Sequence, residues 1–209
     1  MTHARRPLTR FNRLGLFGIA TLAWLALALA VRNDAPEYGG LGLALWHMTD
    51  YFTNTTAILV AGLFTAFALS VTQPIASRHL GMVTLSVMLV VVVYWPILYP
   101  VHPPKPGKEV LNLLFHAIVP ALVVAYYAGF AVKGTMTRRD PVTWMAYPLG
   151  YTGFVLIRGL TTGHYPYFFF DPAKVGVVQV AMNIVIIGLV YFAASHTLVW
   201  VDQRSTRKA

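Results

Sequence analysis

The run LGMVTLSVMLVVVVYWPILY, from Leu80 to Tyr99, carries no charged residue. A helix of about 20 residues rises about 30 Å, the thickness of bilayer hydrocarbon. The same segment laid in lipid as an open strand would leave edge N–H and C=O groups unpaired. It therefore reads as a transmembrane helix. Working outward, further apolar runs cover Leu14–Val31, Tyr51–Val71, Val110–Val132, Val142–Leu160 and Val175–Val199. Helix breakers lie between them: Pro36 with Gly39 and Gly40, Pro74, Pro100 to Pro106, Asp140 with Pro141, and Pro166 to Pro172. The expectation is an all-α polytopic membrane protein, one six-helix transmembrane domain over residues 1–209, with no internal repeat and no second domain.

Composition agrees with a lipid solvent. Of 209 residues 57% are hydrophobic and 11% charged, whereas soluble chains carry roughly 25% charged residues. The absence of cysteine excludes disulfides, thiolate metal sites and a cysteine nucleophile. A net charge of +9 would suit nucleic acid in a soluble protein. Here the basic residues flank apolar runs, so membrane topology accounts for them and no nucleic-acid partner is expected.

The first run follows Arg5, Arg6, Arg10 and Arg13 and ends near Ala28-Leu29-Ala30, which resembles a signal-peptide cleavage site. Its length favours an uncleaved first helix. With the N-terminus inside, inner segments hold those four arginines, Arg78, Lys133, Arg138, Arg139, Arg204, Arg207 and Lys208, a count of 11. Outer loops hold 4: Arg32, Lys105, Lys108 and Lys174. Arg158 falls within the fifth run. Both termini are thus expected on the cytoplasmic side of the cell (inner) membrane.

Polar residues in lipid are costly, so their depth is informative. Counted from the outer ends by helical rise, Thr53 is about 3 Å deep, Arg158 about 6 Å and His116 about 9 Å. Asn112 lies one turn above His116 on the same face, and Gln179 and Asn183 share a face of the sixth run. The last outer loop adds His164, Tyr165, Tyr167 and Asp171. Inner halves of the runs are nearly all Val, Leu, Ile and Ala. The asymmetry predicts a pocket in the outer half of the bilayer. Each residue also has a plainer use. Thr53 can cap or bond back to its own helix, His116 can be a packing histidine, and Arg158 can snorkel to headgroups. Asn112, Gln179 and Asn183 can bond between helices, and Trp46, Trp95, Tyr99, Tyr165 and Tyr167 suit an aromatic belt.

A hydroxyl and an imidazole in a partly dry site can act as nucleophile and general base. The imidazole takes the hydroxyl proton as the oxygen attacks an ester, then protonates the leaving alcohol; water releases the acyl-threonine. Arg158, Asn112 or backbone amides beside Thr53 can serve the oxyanion. His164, Asp171 and Asn183 complete the candidate substrate-binding set. Periodicity alone does not separate Thr53 from Thr55 or Thr56.

Three segments carry a resemblance. They are Tyr51-Phe52-Thr53; Leu113-Leu114-Phe115-His116 followed by Val119-Pro120; and Tyr147-Pro148 to Tyr151, with Arg158-Gly159, Gly163-His164-Tyr165-Pro166-Tyr167 and Phe170-Asp171. In these the chain resembles a bacterial member of the androgen-induced transmembrane protein family, six-helix threonine hydrolases of fatty acid esters of hydroxy fatty acids. The resemblance implies Thr53 as nucleophile and His116 as its partner. It also implies no cofactor or metal, and a lipid or fatty-acid ester drawn from the bilayer as substrate.

Rival readings have less behind them. Coupled transporters commonly use intramembrane carboxylates, whereas all seven acids (Asp34, Glu37, Asp50, Glu109, Asp140, Asp171, Asp202) fall in loops or at ends of runs. Haem ligation by His79 with His196, or by His116 with His164, has no recognisable spacing. A zinc site from His47, His116, His164 and Asp171 has none either. A structural or partner-binding membrane protein is the remaining alternative.

The charge count yields a topology test. In intact cells, Ala35→Cys and Ala173→Cys variants are expected to react with an impermeant thiol reagent, and Ser205→Cys is not. Labelling at position 205 would reverse the orientation.

Overall fold

Backbone groups in an apolar solvent must be satisfied within their own segment, and the described residues form helices and turns with no strand. The computed structural model describes residues 9–70 and 77–205. Arg5, Arg6, Arg207 and Lys208, counted above on the inner side, lie outside the described residues. The helices group into two compact units, Met1–Thr135 and Met136–Ala209.

The first unit comprises α1 (Arg10–Tyr38), α2 (Leu41–Met48), α3 (Phe52–Leu69), α4 (Ser77–Val93), α5 (Glu109–Leu113) and α6 (Val119–Phe130). A π-helical turn, Tyr94–Leu98, continues α4, and a second, Leu114–Ile118, joins α5 to α6. Thr9 caps α1 by accepting the Asn12 N–H at 3.2 Å. The buried face of α1 is Leu16, Ile19, Ala20, Ala23, Ala26, Leu27 and Ala30, a helical repeat rich in alanine. Small side chains let helix backbones approach, which drives association where the solvent is as apolar as the side chains. This face packs on α3, where Val60, Ala61, Phe64 and Ala68 are buried. The Trp24 indole donates across the pair to Thr65 Oγ1 at 3.1 Å.

The first helix is longer than its apolar run. It passes Arg32, Asp34 and Pro36 and stops at Gly39, which takes the left-handed conformation (φ 80°). At 1.5 Å per residue it is about 43 Å long, more than the hydrocarbon needs. Its last turns carry Asp34, paired with Lys108 at 2.8 Å, and Glu37, paired with Lys105 at 2.6 Å. Half-exposed pairs of this kind stabilise little individually. Together they tether the segment before α5 to the end of α1.

In the second unit the expected fifth helix is divided. Residues 140–162 form α7 (Asp140–Trp144) and α8 (Ala146–Thr162), separated at Met145. Pro148 supplies the reason: it has no N–H for the Trp144 carbonyl, and its ring crowds that carbonyl. The 17 residues of α8 rise about 25 Å. A 3₁₀ turn (Phe168–Phe170), α9 (Pro172–Val175) and α10 (Val177–Ser205) follow. The last helix outruns Val199 because its end is anchored. Buried Asp202 accepts the Met136 N–H at 3.1 Å, and Gln203 donates to the Met136 carbonyl at 3.1 Å. Among the described residues 5 helices are long and apolar enough to cross a membrane: Arg10–Tyr38, Phe52–Leu69, Arg78–Leu98, Glu109–Phe130 and Val177–Ser205. Such apolar helices suggest a membrane protein.

Gly163 (φ 73°) ends α8 in the left-handed conformation and turns the chain back. The Tyr165 ring then lies on the helix at Gly159, where a Cβ would overlap it. Gly159→Ala is therefore expected to cost about 1–3 kcal/mol, the usual range for overpacking. Thermal unfolding in detergent checks this, and in a Tyr165→Ala background the same substitution should be close to neutral.

Candidate active site

The site grows from a missing backbone donor. Pro120 has no N–H to offer the His116 carbonyl four residues earlier. That carbonyl accepts the Trp95 indole N–H instead, at 2.9 Å. The chain around both partners is π-helical, with Tyr99 N–H reaching the Tyr94 carbonyl and Val119 N–H reaching that of Leu114, each five residues back. Such turns occur mostly as single insertions in α-helices, frequently at functional sites. Tyr94 is buried, and its ring stacks on the His116 imidazole at 3.5 Å between centroids and 17° between planes. Tyr94 also meets Trp95 edge-on at 5.3 Å, so two aromatic rings hold the histidine segment, one by its ring and one by its backbone.

His116 Nδ1 lies 3.0 Å from the Asn112 carbonyl. A carbonyl only accepts, so Nδ1 carries the proton and the Nε2 lone pair is left for another partner. Nε2 faces Thr53 Oγ1 at 3.4 Å. The separation is long for a hydrogen bond. Thr53, Asn112 and His116 are all half-buried. Thr53 stands in the first turn of α3, where the Asn54 and Thr55 N–H groups both donate to the Tyr51 carbonyl at 3.1 Å.

The structure separates the three threonines that periodicity leaves equivalent. Thr55 donates back to the Phe52 carbonyl at 3.1 Å, Thr56 is buried, and Thr53 faces the imidazole. Between α3, α4 and α6, a cavity of about 10 Å³ has Thr53 on its wall.

The first unit thus brings together Thr53, His116 and Asn112, the last through its backbone carbonyl. The other four candidates belong to the second unit. Arg158 is buried, and its carbonyl accepts the hydroxyls of Thr161 (3.0 Å) and Thr162 (2.8 Å). Thr162 Oγ1 in turn accepts the N–H of exposed His164 at 3.2 Å. Asp171 caps α9 by accepting the Ala173 N–H at 3.0 Å. Asn183 donates to the Phe169 carbonyl at 2.9 Å and accepts from Gln179 at the same distance. Asp171 and Asn183 therefore shape the turn between α8 and α10. Among the described residues no group of three or more His, Cys, Asp or Glu gathers as a metal site.

Sequence reasoning assigned Trp95 to an aromatic belt and passed over Tyr94. The available signal was the pair of prolines, Pro96 and Pro120, each placed where it frees a helix carbonyl. Comparison with known proteins returns no matching family model, no matching curated protein and no matching solved structure.

Trp95→Phe keeps the ring and deletes the indole donor to the His116 carbonyl. The expected loss is about 1 kcal/mol, the usual net contribution of one hydrogen bond. Pro120→Ala added to Trp95→Phe supplies a backbone N–H and should recover part of it in the same unfolding assay.

Proposed function

We propose that this chain is an integral-membrane lipid-ester hydrolase in which Thr53 is the nucleophile and His116 the general base. The observation that carries the reading is the directed imidazole: Nδ1 on the Asn112 carbonyl and Nε2 on the Thr53 hydroxyl, at 3.0 and 3.4 Å. In the first step Thr53 Oγ1 attacks the ester carbonyl carbon while its proton passes to Nε2. The tetrahedral intermediate collapses, the alcohol C–O bond breaks, and Nε2–H protonates the leaving oxygen. Water, deprotonated by Nε2, then cleaves the threonine ester and regenerates both groups. Backbone amides beside Thr53, at the start of α3, are candidate donors for the oxyanion. The Asn112 carbonyl fills the orienting place that an acid occupies in serine triads.

The resemblance in residues 51–53, 113–120 and 147–171 supports the same chemistry and adds fatty acid esters of hydroxy fatty acids as the substrate class. With it go the finer membrane features: six spans with the broken 140–162 segment as the fifth, both termini cytoplasmic, an inner-membrane location, and a pocket in the outer half of the bilayer. Asymmetry of basic residues supports the orientation.

Purified protein reacted with a fluorophosphonate probe tests the assignment. Thr53→Ala and His116→Ala are each expected to abolish most labelling and most ester hydrolysis. The double variant should be little worse than either, because groups that act as a unit are non-additive. Thr53→Ser should retain part of the activity, and Thr55→Ala should retain more. A well-folded Thr53→Ala protein with parental turnover would remove the nucleophile.

A further inference from the structure

In the proposed first step the Thr53 proton leaves a positive charge on His116, and that charge needs a partner. The ring nitrogens meet the Asn112 carbonyl and the Thr53 hydroxyl, both uncharged. The face of the imidazole meets Tyr94, at 3.5 Å between centroids and 17° between planes. At that distance and angle the imidazole lies over the π face of the phenol ring, not at its edge. Tyr94 is buried at 7% exposure, and Trp95 and Tyr99 meet its ring in T-shaped contacts at 5.3 and 6.0 Å. Those contacts hold the ring in place. Burial keeps water from screening the negative potential of its face.

We infer that Tyr94 is a positioning residue whose ring face stabilises the imidazolium formed on His116 as Thr53 reacts, the duty that a buried acid performs in serine triads. The inference rests on the hydrolase reading and adds to it the partner of the base. An aromatic face attracts a cation within about 6 Å of its centroid, most strongly where water is excluded. The same face holds a neutral imidazole only by dispersion and weak multipole terms. The attraction therefore grows as the proton reaches Nε2 and the bond from Oγ1 to the ester carbon forms. It falls again when Nε2–H returns the proton to the leaving alkoxide, and the water step repeats the cycle. An interaction made mainly in the transition state raises kcat and leaves KM nearly unchanged.

Full-length protein purified in detergent, assayed with p-nitrophenyl decanoate and a fluorophosphonate probe, tests this. Tyr94→Leu removes the face but also a buried ring, so an isosteric series is the decisive one. Tyr94→Phe keeps the face and is the reference. Mono-, di- and trifluorophenylalanine at position 94 draw electron density from the face and nearly preserve its shape. Fluorination weakens the hold on a cation without weakening stacking on a neutral ring. Relative to Tyr94→Phe, kcat and the labelling rate are expected to fall stepwise with each fluorine, by about tenfold in all, at nearly constant KM. A flat series with Thr53-dependent turnover overturns the role of Tyr94 and leaves the hydrolase reading standing. A fall that follows lost helix content or unfolding temperature instead of fluorine number does the same. Absence of any Thr53-dependent turnover or labelling in the parental protein overturns both readings.

Discussion

The hydrogen bond from the Trp95 indole to the His116 carbonyl is the contact on which the site depends, because Pro120 makes it necessary. A carbonyl that loses its helix donor needs another, because an unpaired one away from water is costly. Pro120 creates that deficit on the residue that carries the imidazole. The indole N–H removes it only if the π-helical end of the Leu80–Tyr99 segment lies against the segment that leads into α6. Once it does, Tyr94 is brought over the imidazole at 3.5 Å, and the ring is clamped between an aromatic face and its own hydrogen bonds. One missing N–H thereby sets the docking of two helices and the aim of one side chain.

The imidazole is oriented without an acid. A carboxylate behind a histidine fixes the tautomer and also stabilises the imidazolium that forms. The Asn112 carbonyl does the first and, being uncharged, contributes only a dipole to the second. In a partly dry site this trade has an advantage: no carboxylate has to be buried, which would itself carry a large desolvation penalty. Three acids of the first unit are used elsewhere. Asp34 and Glu37 meet Lys108 and Lys105 where α1 outruns its apolar run, and Asp50 meets His47 at 3.1 Å. The lysine pairs act at the entrance to α5, two turns before His116. They help set where that helix begins, while Trp95 and Tyr94 set how its histidine is turned.

Much of the architecture was legible in composition and run length, because transfer from water to lipid is a sum over residues in a window. The apolar runs locate the long helices within a few residues. They fail at two ends for one shared reason. The charged turns after Val31 and Val199 stay helical because their carboxylates have partners: Lys105 and Lys108 in the first case, the Met136 N–H in the second. Hydropathy does not see a pairing partner. The fifth run breaks at Met145 through the local effect of Pro148, a signal that was present in the sequence and outweighed there by the apolar length.

Sequence by itself determined the solvent, the helices and the short list of polar residues able to do chemistry, since each depends on local composition and on the properties of single side chains. Tertiary structure alone decided which of those residues meet. Thr53 and His116 are 63 positions apart, and Thr53, Thr55 and Thr56 share a turn that periodicity cannot divide. The choice falls to Thr53 because α3 presents it to the segment that Trp95 holds, while Thr55 bonds back to its own helix. Tyr94 became part of the site by the same packing. Contact between distant side chains is set by how helices fit together, and no window along the chain contains that fit.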